Sequence, residues 1–198
     1  MAHRIAPERG ATLLLPLPPQ FPLPVRSDRR PDSPETIRTW LAGAHRSTEQ
    51  ARREWQTQGL AILPLGAGWG AVRIPGTIVH AAVGSDDPQA VADAVAHHLR
   101  GPVIYDVLVA GPTYWALVPY WPAITWTGTA ETPLLGPGSF LGVPDVEVTE
   151  PPGSYWVRPP RNRHDLCQRE AVFDFILRGR RQLRAQEEPA TTALELGR

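Results

Sequence analysis

Apolar residues are densest between Gly101 and Pro119. There, two β-branched and aromatic runs, Val103 to Val109 and Thr113 to Val118, flank the turn-forming Ala110-Gly111-Pro112. This pattern predicts a buried β-hairpin, or at least two neighbouring central strands. One ionisable residue, Asp106, interrupts the first run. A carboxylate in so apolar a strand is costly unless it is paired, hydrogen-bonded or bound to a metal.

Around this pair the polar and apolar positions alternate with helical and strand periods. Ser33-Pro34-Glu35 supplies an N-cap, a proline at the first helical position and an acid in the first turn, predicting a helix through Ile37, Trp40 and Leu41 to Gly43. Ser47 with Gln50 three residues on forms a capping box for a second helix, Thr48 to Gln58, which Gly59 ends. Leu60 to Leu65 reads as a strand, and 76–83 as a short helix. Ser85-Asp86-Asp87-Pro88 starts a helix whose stripe is Val91, Val95 and Leu99. Ser139 to Val143 and Ser154 to Val157 read as short strands. Asp165 is expected to cap a last helix with Leu166, Val172, Phe173, Ile176 and Leu177 facing the core. The aromatic stretch 120–133 reads as a loop, and 181–198 as the helix end and a frayed tail.

Residues 1–32 lack periodicity. Five prolines between Pro16 and Pro24 favour an extended, polyproline-like path, so this segment is expected to be a disordered tail, or else a docking peptide for a protein partner. The interrupted apolar run is too short and too broken by proline to span a membrane. One domain over 33–180 with tails fits a chain of 198 residues.

Charge narrows the chemistry. Twenty basic residues balance twenty acidic ones, so binding to nucleic acid needs a local patch rather than an overall field. All the Lys+Arg residues are arginine, which excludes a Schiff-base or P-loop lysine and leaves phosphate recognition to guanidinium forks. The single Cys167 rules out an internal disulfide and suits a reducing cytoplasm. Gly66-Ala67-Gly68-Trp69-Gly70 follows a strand but matches neither dinucleotide nor P-loop spacing, and reads as a hairpin loop. Adjacent His97 and His98 point apart on a helix and do not chelate one metal together. RGRRQLR at 178–184 reads as a basic helix end complementing the macrodipole. RPPRNR, with Arg158, Arg161 and Arg163, has the charge for phosphates, as does Arg73 beyond the glycine loop.

The stretches ARREWQTQGLAILPL, AVRIPG, AAVGSDDPQAVADAV and VIYDVL, in that order over roughly 40–176, carry a family resemblance. The chain resembles the N-terminal domain of bifunctional DNA primase/polymerases, the Prim-Pol branch of the archaeo-eukaryotic primases, in a divergent actinobacterial form. The resemblance implies an α/β (α+β) fold with a mixed β-sheet flanked by helices. It also implies a metal held by two acids one residue apart on a strand and a third from a later strand. Alternate strand residues share a face, so two such carboxylates reach one Mg²⁺ or Mn²⁺. Asp106 matches the first position, as catalytic and metal-binding residue; the second is Leu108. Where the family has a histidine beside the phosphates, LGPGSFLGV offers Leu141. Asp145 or Glu147 is the candidate third acid.

One buried carboxylate does not neutralise a two-metal phosphoryl transfer. The expectation is therefore a cytoplasmic, catalytically degenerate primase/polymerase-like domain. Its remnant site for a nucleotide or single-stranded nucleic acid would use Asp106 and Arg73, with Arg158, Arg161 and Arg163 at the rim. The alternatives are an active metal-dependent nucleotidyltransferase with Asp106, Asp145 or Glu147, and His164 regrouped, and a non-enzymatic interaction module using residues 1–32 and exposed tryptophans.

Overall fold

A computed structural model describes residues 30–107, 111–122 and 125–195, with side chains through 187. Residues 1–29, to which most of the docking-peptide reading applies, lie outside the described residues, as do Leu108 and Val109. The described residues belong to one compact unit from Pro31 onward, preceded by Arg30 of the first.

Helices α1 (Pro34–Ala42) and α2 (Thr48–Gln58) begin where their caps predict. Ser33 Oγ accepts from the Thr36 N–H and Ser47 Oγ from the Gln50 N–H. Strand β1 (Leu60–Pro64) pairs antiparallel with β6 (Phe140–Pro144) as a separate two-stranded sheet. The main sheet has the order β5-β2-β4-β3-β7, formed by β2 (Trp69–Pro75), β3 (Val103–Asp106), β4 (Thr113–Pro119), β5 (Leu134–Leu135) and β7 (Tyr155–Arg158). Helices α3 (Gly76–Val83), α4 (Pro88–His98) and α5 (Arg169–Glu195) complete the described residues.

Side-chain alternation along the main sheet builds two cores. Val72, Ile74, Val103, Tyr114, Ala116 and Val118 face α3, α4 and α5. Trp69, Ala71, Ile104, Leu117 and Trp156 face α1, α2 and the small sheet. The two apolar runs of the central stretch thus supply both faces at once, which is why they read as continuous rather than alternating.

Several expectations change. All the strand pairings are antiparallel, so the sheet is not mixed. The α/β composition stands. The glycine loop is not a hairpin turn: β1 and β2 belong to different sheets, and the chain crosses between them with Gly66 and Gly68 at φ 98° and 91°. These are backbone positions that glycine adopts without strain. Trp69, expected in a loop, is buried at the start of β2 because its register against Pro119 turns it into the core. Helix α5 starts at Arg169, past Asp165, so Asp165 does not cap it, and Phe175 rather than Phe173 is the buried phenylalanine. Phe173 instead stacks edge-on against Trp126 at 6.1 Å. The helix also runs on to Glu195, through the segment read as frayed.

Candidate functional site

The strand register decides which sequence candidates meet. On the face shared with α1 and α2, Arg73 lies opposite Trp115, Trp115 opposite Ile104, and Ile104 opposite Trp156. One position along, Thr113 lies opposite Asp106, and Ser154 approaches from the β7 side. Arg73 and Asp106 therefore share a face two strands apart and two residues offset, about 12 Å at the usual strand spacing and rise.

Burial falls off along this row. Ile104 and Trp156 are buried, whereas Trp115, Arg73, Asp106 and Ser154 are half-buried. Asp106 sits at the end of β3 rather than deep within an apolar strand, and the Ser154 hydroxyl donates to its Oδ1 at 3.1 Å. This resolves the burial cost raised by the sequence without a metal.

One donor in the row is buried and unsatisfied, and one half-buried cation lacks a side-chain partner, among the described residues. The Trp115 indole N–H is buried with no acceptor. Such a donor costs roughly 1–3 kcal/mol in lost hydration. The Arg73 side chain, directly across from it, makes no ion pair or hydrogen bond among the described residues; its backbone N–H alone is engaged, donating to the Pro133 carbonyl at 3.0 Å. Opposed residues in antiparallel strands have Cβ atoms about 5 Å apart, so Arg73 and Trp115 are cross-strand neighbours on this face.

The acids proposed to join Asp106 are committed elsewhere. Arg38 on α1 donates Nε and Nη2 to the Asp145 carboxylate at 2.7 and 2.8 Å, and Nη2 also to Glu147. Burial pushes the Asp145 carboxyl up, but the Arg38 hydrogen bonds, the Glu147 N–H and the Arg38 charge together hold it below the usual range. Among the described residues no three His, Cys, Asp or Glu side chains are grouped to hold a metal ion. His164 lies against the Trp40 ring at 6.0 Å, away from any such group.

The arginines of 158–163 do not form a free rim either. Arg158 pairs with Asp165 at 3.4 Å, and Asp165 also accepts from the Arg161 N–H at 2.8 Å. Arg163 pairs with Asp32 at 3.3 Å, while the Asp32 N–H donates to the Arg161 carbonyl. Only the Arg161 side chain extends into solvent without a carboxylate among the described residues. Asp32, assigned by the sequence to the tail, is thus part of the domain.

No family model, curated protein or solved structure matches the chain.

Trp115 and Ser154 were missed as site residues. Their types signal only strand and core; the useful signal, the register that sets them beside Arg73 and Asp106, is long-range. On the opposite face the same sheet end holds a second unforeseen group. Tyr105 lies 5.1 Å from both Tyr114 and Tyr155, and His80 Nε2 lies 3.1 Å from the Tyr114 hydroxyl. Burial pushes the Tyr114 hydroxyl well above its ordinary value, so it remains a protonated, structural phenol. Cys167 is likewise buried, its thiol pushed up to about 12 by desolvation, and it is no nucleophile.

Among the described residues no helix is long and apolar enough to cross a membrane.

Proposed function

We propose that this domain is a catalytically degenerate primase/polymerase-like fold that binds a phosphorylated ligand, a nucleotide or the end of a single-stranded nucleic acid. The site is the sheet corner formed by Arg73, Trp115, Asp106 and Ser154. The observation that carries the reading is the half-buried Arg73, whose side chain has no ion pair or hydrogen bond among the described residues and which shares a sheet face with Asp106 and Ser154. Guanidinium is well suited to an anion with several acceptor oxygens. Asp106 and Ser154 suit hydroxyl groups of a sugar rather than a metal-bridged triphosphate, because among the described residues no three metal-ligating side chains are grouped there. The primase/polymerase likeness rests on the sequence stretches between residues 40 and 176.

The test is titration with a fluorescent nucleoside triphosphate, with and without Mn²⁺, for the native chain and Asp106→Asn. Saturable binding that survives a chelator and is weakened but not abolished in Asp106→Asn, whose amide oxygen still accepts from a hydroxyl, is expected. Binding that requires Mn²⁺ and disappears in Asp106→Asn would return the domain to the metal-dependent nucleotidyltransferases. Absence of nucleotide binding would overturn the reading altogether.

A further inference from the structure

The arginines at 178–184 need an explanation other than the helix dipole. Helix α5 continues to Glu195, whereas dipole compensation acts only in the last turn. Packing does not explain them either. Gly179 is the inward residue: a Cβ there would lie 2.2 Å from the Ile78 carbonyl oxygen, so only glycine lets α5 sit this close to α3. That contact sets the rotation of the helix and leaves Arg178 and Arg181 on the outside, both exposed. Arg180 is the one bound inward, to Thr129, Glu131 and Thr132.

Arg178 and Arg181 line a groove of about 430 Å³ with His98, Ala171, Asp174 and Phe175. Among the described residues neither arginine has a carboxylate within ion-pair distance. Arg178 Nη1 lies 3.1 Å from His98 Nε2. Burial, and then the Arg178 charge, hold the imidazole below its usual range, so it accepts this bond as a neutral ring. Asp174 is the one acid of the lining. Arg100, just past α4, and Arg184, three residues beyond Arg181, extend the positive surface. The chain is neutral overall, so this charge is a local feature.

We propose that the α4–α5 groove binds the phosphodiester backbone of a nucleic acid, with Arg178 and Arg181 each contacting a phosphate. Residues three apart on a helix share a face and rise about 4.5 Å, a spacing that presents two guanidinium forks side by side. A membrane surface fits less well: among the described residues the large exposed apolar side chains Ile62, Val107, Trp121 and Phe140 lie on neither α4 nor α5. The groove lies on the helical side of the main sheet and does not depend on the Arg73 corner.

The experiment is fluorescence anisotropy of a labelled single-stranded DNA oligonucleotide across a salt series. Arg178→Ala/Arg181→Ala should weaken binding about 10-fold or more and reduce the slope of log K against log salt by about 1.4, since each phosphate contact on a single strand contributes about 0.7. Arg178→Lys/Arg181→Lys should keep the slope. Mononucleotide affinity should not change in either variant, which separates this proposal from the fate of the Arg73 site. An unchanged slope in the alanine variant, an equal loss from Arg161→Ala/Arg163→Ala, or binding to phosphatidylserine vesicles but not to DNA would each overturn it. Circular dichroism of the variants, whose substituted side chains are exposed, checks that the fold is retained.

Discussion

The loop 158–163 and the corner around Arg73 hold the same cation in opposite circumstances. The loop has three arginines in six residues, yet Asp165 and Asp32 take up Arg158 and Arg163 and bond the backbone at Arg161. The corner has one arginine and, among the described residues, no acid paired with it. The loop spends its charge on closing the chain onto itself, whereas the Arg73 side chain has no such partner among the described residues. Density of charge along a sequence therefore says less about binding than whether each charge has an internal partner.

Substitutions should separate arginines that hold the fold from those that do not. The largest effect is expected at Arg38, whose bidentate pair with Asp145 ties α1 to the end of β6. Arg38→Met should destabilise the domain by about 2–3 kcal/mol in urea denaturation at neutral pH, the range for hydrogen bonds between charged groups. The pH dependence has a definite sign. Asp145 has a depressed folded-state value, so its contribution is present above the unfolded carboxyl value near 4 and fades as pH falls through the folded one. The gap between native and Arg38→Met stability should narrow below about pH 4. A gap that widens toward acid would contradict the pairing.

Next comes Arg158→Met, which leaves half-buried Asp165 with one fewer partner and should cost about 1 kcal/mol without changing ligand affinity. Ser154→Ala should cost about 0.5–1.5 kcal/mol by removing the hydroxyl from Asp106. Arg163→Ala breaks a more exposed pair and should stay within about 0.5 kcal/mol. Arg73→Met should fall in that smallest class, because no internal partner is lost. A cost above about 2 kcal/mol at Arg73 would mean it is structural, and the contrast with the loop would collapse.

Local chemistry made much of the scaffold legible. Ser33, Ser47 and Asp87 mark their helix starts through side-chain acceptors a few residues from the N–H groups they satisfy. The apolar runs around 103–118 identify the paired centre. Long-range pairing was not legible: β1 joins β6 and β2 joins β4 and β5, so the glycine loop crosses between sheets instead of closing a hairpin. Asp165 had the form of a cap but is drawn to Arg158 and the Arg161 N–H. Among site residues, Arg73 and Asp106 could be picked out because polar groups stand out in apolar strands. Their relation to Trp115 and Ser154 depends on register, and the engagement of Asp145 by Arg38 spans most of the chain.

The most direct measurement is calorimetric titration of a nucleoside triphosphate into the native chain, Arg73→Met and Arg161→Ala/Arg163→Ala. Saturable binding to the native chain is expected, with about 10-fold or greater weakening in Arg73→Met from the lost charge-assisted contact, and no change in the loop variant. Equal binding by the native chain and Arg73→Met, or loss confined to the loop variant, would contradict the Arg73 site.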